Sequence, residues 1–82
     1  VVVDARFAAV VAELPRESAP TRVELEVAYL LVVRAMTLRE VAEQRGVRHS
    51  TVRTHWRRFA SKLSLAPHEC RTELRCRYWN AA

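Results

Sequence analysis

Apolar residues recur every three or four positions along most of the chain, which is the period of a helix with one buried face. The first such segment spans residues 4–15, and its stripe consists of Phe7, Val10, Val11 and Leu14. Asp4 stands where an N-cap is expected, and Pro15 predicts the end of the helix. The pattern therefore predicts a first amphipathic helix followed by a short linker.

A second helix is predicted from Thr21 to about Ala35, and it is apolar on two opposite sides. Glu24 follows Thr21 by three residues, which is the spacing of a capping box. The two apolar stripes consist of Val23, Val27 and Leu30 on one side and Leu25, Ala28 and Val32 on the other. Since a helix that is apolar all round is covered all round, we expect the first helix or a partner to cover the second stripe.

A short third helix and a tight turn are predicted next. Thr37 and Glu40 form a second possible capping box, and Gly46, the only glycine, is expected to end the helix in a left-handed conformation. Ala42 offers a small side chain where the two helices of a helix-turn-helix cross closely. The residues expected to fill the angle between these helices are Val41, Val47 and Val52.

The predicted fourth helix carries apolar bulk and positive charge on opposite faces. We expect Ser50 or Thr51 to cap it and the helix to end near Leu63. Its apolar stripe consists of Val52, Trp56, Phe59 and Leu63, and its opposite face of Arg53, Thr54, Arg57, Arg58 and Ser61. A helix about 10 Å wide fits the major groove of DNA, so this one is suited to lie between a protein core and a polyanion.

Pro67 is expected to start a fifth helix that ends near Trp79. The predicted fold class is therefore all-α, a small bundle of four to five helices that contains a helix-turn-helix. We divide the chain into residues 1–19, an N-terminal helix and linker that could be the tail of a missing upstream domain, and residues 20–82, the helix-turn-helix domain.

Charge is distributed unevenly over the 82 residues, whose formal net charge is +5. Residues 1–30 contain three arginines and five acidic residues, which gives −2. Residues 31–82 contain ten arginines and one lysine against four glutamates, which gives +7. A basic region of this kind indicates a nucleic acid or another acidic partner.

The cysteines, the possible metal ligands and the length of the apolar runs indicate which classes of protein fit the sequence. Cys70 and Cys76 are six residues apart on a predicted helix, which is too far for a disulfide within it, and free thiols fit a reducing cytoplasm. The spacing of histidines and cysteines does not indicate a metal site, and no apolar run reaches membrane-spanning length. We therefore expect a cytoplasmic protein without a cofactor, a metal or a membrane partner.

Residues 37–65, TLREVAEQRGVRHSTVRTHWRRFASKLSL, resemble the LuxR-type (GerE-like) DNA-binding domain of bacterial transcription regulators. The matching elements are Glu40-Val41-Ala42, Gly46-Val47, Thr51-Val52, His55 and Lys62-Leu63. The resemblance extends over about residues 20 to 75. The chain departs from the family pattern at two places. It has Ala35-Met36 before the third helix, where the family usually has a glycine, and it has Arg45 where a leucine normally faces inward.

The resemblance implies sequence-specific binding of double-stranded DNA, with a recognition helix of about Ser50 to Leu63 in the major groove. The base-reading residues would be Arg53, Thr54 and Arg57. The residues that position the helix or contact phosphate would be Thr37, His49, Thr51, His55, Arg58 and Lys62. It also implies a homodimer through the C-terminal helix, with contacts from Leu74, Tyr78 and Trp79, and RNA polymerase as a further candidate partner.

Two alternatives remain open at this point. Region four of sigma factors, which binds promoter DNA, shares the glutamate–aliphatic–alanine and Thr-Val elements. A helix-turn-helix module that docks on a protein, such as an anti-activator, would bind no DNA. An enzyme is not expected, because Ser50 is a predicted helix cap and His55 lies on a helix flank.

Overall fold

The computed structural model describes residues 3–80, which form five helices and, within that range, no strand. The helices are α1 (Ala5–Glu13), α2 (Arg22–Val32), α3 (Leu38–Arg45), α4 (His49–Lys62) and α5 (Pro67–Asn80). Helix α2 lies at the centre and packs against α3, α4 and α5, while α1 packs on α5. The predicted all-α bundle of four to five helices is confirmed, with five helices in the described range.

The caps expected for the first three helices are present. The carboxylate of Asp4 accepts a hydrogen bond from the amide of Phe7 at 2.7 Å. Both predicted capping boxes are complete, and they consist of Thr21 with Glu24 and Thr37 with Glu40. Each cap satisfies amide groups that have no partner within their own helix, so these helix starts are fixed by local sequence.

Helix α4 begins earlier than expected, at His49 with Arg48 as its N-cap residue, and within residues 3–80 no side chain caps it. The prediction that Ser50 or Thr51 is the cap is therefore wrong. Both residues lie in the first turn, where the amide of Thr51 donates to the carbonyl of Arg48 at 3.0 Å. The reason is the tightness of the preceding turn, because Gly46 ends α3 and leaves only two residues before α4.

Helix α1 belongs to the same hydrophobic core as the rest of the chain. The ring of Phe7 is fully buried and lies 5.6 Å from the ring of Tyr29 on α2, in an edge-to-face arrangement. It also packs 6.2 Å from the ring of Tyr78 on α5. The first helix thus contacts α2 at Tyr29, which lies outside the stripe of Leu25, Ala28 and Val32 that the first helix or a partner was expected to cover. The division of the chain at residue 19 stays a prediction.

The packing of α1 changes the expected role of α5. Leu74 is fully buried and Tyr78 is 7% exposed, so both belong to the core of the single chain rather than to a dimer surface. The hydroxyl of Tyr78 donates to the carboxylate of Asp4 at 2.6 Å, and this bond, with burial, raises the pKa of Tyr78. Of the three expected dimer contacts, only Trp79 is exposed, at 59%.

The turn between α2 and α3 is held by α5. Ala35 takes a left-handed conformation with φ of 54°, which costs a residue with a side chain roughly 1–2 kcal/mol. The guanidinium of Arg71 donates to the carbonyls of Leu31 and Met36 at 3.2 and 3.3 Å, on either side of that turn. Arg71 therefore fixes the first half of α5 beside the start of α3.

Within the part of the chain that the structure describes, no helix is long and apolar enough to cross a membrane.

Candidate nucleic-acid interface

One face of α4 is anchored in the core. The predicted apolar stripe is confirmed, with exposures of 0% for Val52, 6% for Trp56, 0% for Phe59 and 5% for Leu63. The rings of Trp56 and Phe59 stack with their centroids 5.7 Å apart. Burying a large apolar side chain contributes roughly 1.5–3 kcal/mol, so this face fixes how α4 rotates about its axis.

The opposite face of α4 points to solvent and is positively charged. All five residues expected there are exposed, and they are Arg53, Thr54, Arg57, Arg58 and Ser61. Among the described residues, no carboxylate pairs with any of these arginines. Thr54 donates its hydroxyl proton to the carbonyl of Ser50 at 3.0 Å, which leaves the oxygen able to accept. The three expected base-reading side chains, two arginines and a threonine, thus share one open surface.

The turn between α3 and α4 sets the angle at which this surface is presented. Gly46 has φ of 68°, a conformation that glycine adopts without strain, and the amide of Val47 donates to the carbonyl of Ala42 at 3.0 Å. Val41 and Val52 are fully buried near the helix crossing, as expected. Val47 is 41% exposed, so it does not fill the angle, because the two-residue link turns it outward.

The residues expected to position the helix on DNA have different surroundings. Thr37 is exposed, and its hydroxyl accepts a hydrogen bond from the amide of Glu40 as part of the capping box. His49 and Thr51 are exposed at the start of α4, where Nδ1 of His49 lies 3.5 Å from Nη2 of Arg53. His55 is half-buried on the flank of α4. Arg58 is exposed, and its role stays a prediction.

Lys62 has a partner inside the protein. Its Nζ donates to Oε1 of Glu24 at 2.6 Å, and the two side chains are only 24% and 5% exposed. Burial alone would raise the pKa of Glu24, but the hydrogen bonds from Lys62 and Thr21 outweigh it, so this pKa lies below its usual value. The ammonium group expected to contact phosphate is thus held against α2 by its ion pair with Glu24.

A second ion pair joins α2 to the end of α3. Nη1 of Arg45 donates to Oε2 of Glu26 at 3.0 Å, and the two side chains are 24% and 13% exposed. This contact explains how an arginine is accommodated at a position expected to face inward. Sequence reasoning missed both pairs. The available signal was two glutamates on a helix expected to be covered all round, since a buried carboxylate needs a basic partner.

The two cysteines are free thiols with different exposure. Cys70 is fully buried, and burial raises its pKa to about 12, so its thiol stays protonated and unreactive at neutral pH. Cys76 is exposed. In residues 3–80 there is no group of three or more histidine, cysteine or acidic side chains arranged to hold a metal ion.

Comparison of the chain with models of known protein families, with curated protein sequences and with solved structures finds no significant match. The comparisons thus identify no family, and what is shown is a small all-helical domain with five helices in residues 3–80.

Proposed function

We propose that this chain binds double-stranded DNA with α4 as the recognition helix, as part of a bacterial transcription regulator. The observation that carries the proposal is the division of α4 into two faces. Val52, Trp56 and Phe59 are buried on one side. Arginines without a carboxylate partner in the described range occupy the other.

The dimensions of α4 suit the major groove. An α-helix with its side chains is roughly 10–12 Å wide, and the major groove of B-form DNA is about 12 Å wide. Arg53 and Arg57 are one helical turn apart on the exposed face, so they can reach successive base pairs. The planar guanidinium group binds O6 and N7 of guanine with two hydrogen bonds in a fixed fork geometry.

The finer proposal, a LuxR-type domain, is supported by the sequence elements Glu40-Val41-Ala42, Gly46-Val47 and Thr51-Val52. Region four of sigma factors shares some of these elements, and both classes bind DNA. If the regulator is a dimer, Trp79 is the expected dimer contact that is exposed on the single chain. A dimer would read two related half-sites.

The proposal is tested by the salt dependence of binding to a short fluorescent duplex. Four basic residues between Arg45 and Lys62 are exposed, namely Arg48, Arg53, Arg57 and Arg58. If three or four phosphates are neutralised, the slope of log K against log salt is roughly −3 to −4 for each monomer. An affinity that is flat with salt, or no binding, would instead favour a protein-interaction module.

A pair of double variants separates the proposed face from general charge. Arg53→Ala with Arg57→Ala removes two arginines from α4. Arg16→Ala with Arg22→Ala removes two exposed arginines, one from the segment between α1 and α2 and one from the first position of α2. On a DNA site selected from random sequence, only the first pair is expected to weaken binding strongly, because its side chains lie on the proposed base-reading face. Equal losses in the two double variants would contradict a specific role for α4.

A further inference from the structure

A groove beside α4 collects basic side chains from two helices that are far apart in the sequence. It has a volume of about 310 Å³ and is bordered by Arg53 and Arg57 of α4 and by His68 and Arg71 of α5. Trp56 and Leu38 add apolar surface to its wall. We call this feature the basic groove. Neither His68 nor Arg71 was expected to be a site residue from the sequence.

The basic groove is suited to an anion. Three of the residues that line it are arginines, one is a histidine, and none is acidic. The adjacent groove on the other side of Arg57 is different, because it contains the carboxylate of Glu17 together with Ser61 and Ser64. The side of α4 that faces the basic groove is therefore more positive than the side that faces the adjacent groove. An anion bound in the basic groove would be repelled by Glu17 if it extended beyond Arg57 into the adjacent groove.

The fold places Arg71 and His68 of α5 at the basic groove. Arg71 donates from Nη2 to the carbonyls of Leu31 and Met36, so its guanidinium group is fixed at the edge of the groove. His68 is exposed in the first turn of α5, which begins at Pro67. The contacts of Arg71 and the start of α5 at Pro67 thus place these two side chains beside the exposed face of α4.

We propose that the basic groove receives the phosphodiester backbone of the DNA strand that borders α4, with His68 and Arg71 as contacts that carry no sequence information. The inference rests on the proposed function. A helix that occupies the major groove nearly fills its width, so whatever flanks the helix faces a phosphate strand. On the side of Arg53 and Arg57, the flanking element is the start of α5.

The test is His68→Glu, with Asn80→Glu as its matched control. Both positions are exposed on α5, and each change adds one negative charge at neutral pH with histidine counted as neutral. Twelve residues separate them, or about 18 Å along the helix, which exceeds a Debye length of about 8 Å at physiological salt. Binding is measured on a short fluorescent duplex of mixed sequence, because a phosphate contact does not depend on base sequence.

His68→Glu is expected to weaken binding roughly 5-fold and to leave the melting temperature unchanged, whereas Asn80→Glu changes affinity less than about 2-fold. His68→Arg is expected to strengthen binding and to steepen the salt slope by up to about 0.9. Equal effects of the two glutamate variants would overturn the inference. The proposed function would still stand if Arg53→Ala with Arg57→Ala weakens binding to a DNA site selected from random sequence.

Inorganic phosphate, titrated without DNA and followed by NMR at His68, separates two sources of the same chemistry. Saturation only at high concentration is expected if the groove needs the duplex. Tight binding of free phosphate would overturn the proposal in favour of a small-anion site. If the wild-type chain binds no duplex at all, the proposed function and this inference both fail.

Discussion

The six arginine and lysine side chains between Arg45 and Lys62 divide into two groups that the sequence does not distinguish. Arg45 and Lys62 are each 24% exposed and are paired with glutamates of α2. We call them the paired group. The other four, which we call the open group, are exposed and consist of Arg48, Arg53, Arg57 and Arg58.

The difference between the groups comes from α2. Glu26 holds the end of α3 through Arg45, and Glu24 holds the end of α4 through Lys62. The two carboxylates therefore fasten both helices of the helix-turn-helix to the central helix, while the open group remains available to a partner. A count of basic residues along a segment thus overstates the charge that a partner can meet, because part of it is neutralised inside the fold.

The largest expected difference between the groups is in stability. Lys62→Ala should lower the free energy of unfolding by roughly 3 kcal/mol, because it leaves the buried carboxylate of Glu24 without its main partner. The matched change in the open group, Arg58→Ala, should stay within about 0.5 kcal/mol of wild type. Urea denaturation followed by circular dichroism measures both values.

A double variant sharpens this result. Lys62→Met with Glu24→Gln should recover much of the lost stability, because glutamine at residue 24 keeps the capping box with Thr21 and removes the buried charge. If Lys62→Ala instead leaves stability unchanged and weakens DNA binding as much as Arg58→Ala does, Lys62 belongs to the open group.

The next effect is on recognition, and it concerns Arg53 and Arg57. On a DNA site selected from random sequence, alanine at either position should cost roughly 1–3 kcal/mol of binding free energy, and much less on random DNA. Arg58→Ala should weaken both equally if Arg58 contacts phosphate. An unchanged ratio of specific to random affinity in the Arg53 and Arg57 variants would mean that α4 does not read bases.

Sequence reasoning succeeded where structure is set by local chemistry. The helix starts at Asp4, Thr21 and Thr37 depend on residues three positions apart, and the buried stripe through Trp56 and Phe59 follows from helical period. Such features need no knowledge of how helices pack. They account for the helix count and for the division of α4 into two faces.

The contacts that sequence reasoning missed join distant segments of the chain. The partner of Lys62 lies 38 residues away, and the partner of Tyr78 lies 74 residues away. No helical period shows that α1 covers α5 and so buries Leu74. The start of α4 failed for a different reason, since a cap was expected where the tight turn after Gly46 had already begun the helix.

A smaller effect is expected for the other member of the paired group. Arg45→Ala should lower the free energy of unfolding by about 1 kcal/mol, less than Lys62→Ala, because the carboxylate of Glu26 is more exposed than that of Glu24. Arg45→Ala should leave the affinity for DNA unchanged when binding is measured well below the melting temperature of the variant. A loss of affinity as large as that of Arg58→Ala would place Arg45 in the open group.

The smallest expected effect is a dependence of the free energy of unfolding on pH, which arises from the titration of Glu24. Burial raises the pKa of this carboxyl, but the hydrogen bonds from Lys62 and Thr21 lower it by more. The pKa of Glu24 in the folded chain therefore lies below the ordinary value of 4.5. Unfolding in acid therefore takes up a proton. The contribution of Glu24 to the free energy of unfolding is complete above about pH 4.5 and is lost as the pH falls through the pKa of the folded state.

The urea midpoints of the wild type and of Glu24→Gln isolate this contribution from that of other carboxylates, because glutamine keeps the capping box and cannot titrate. The wild type should lose its advantage over the variant as the pH drops below about 4.5. An advantage that persists or grows in acid would mean that burial dominates and that Lys62 is not a true partner of Glu24.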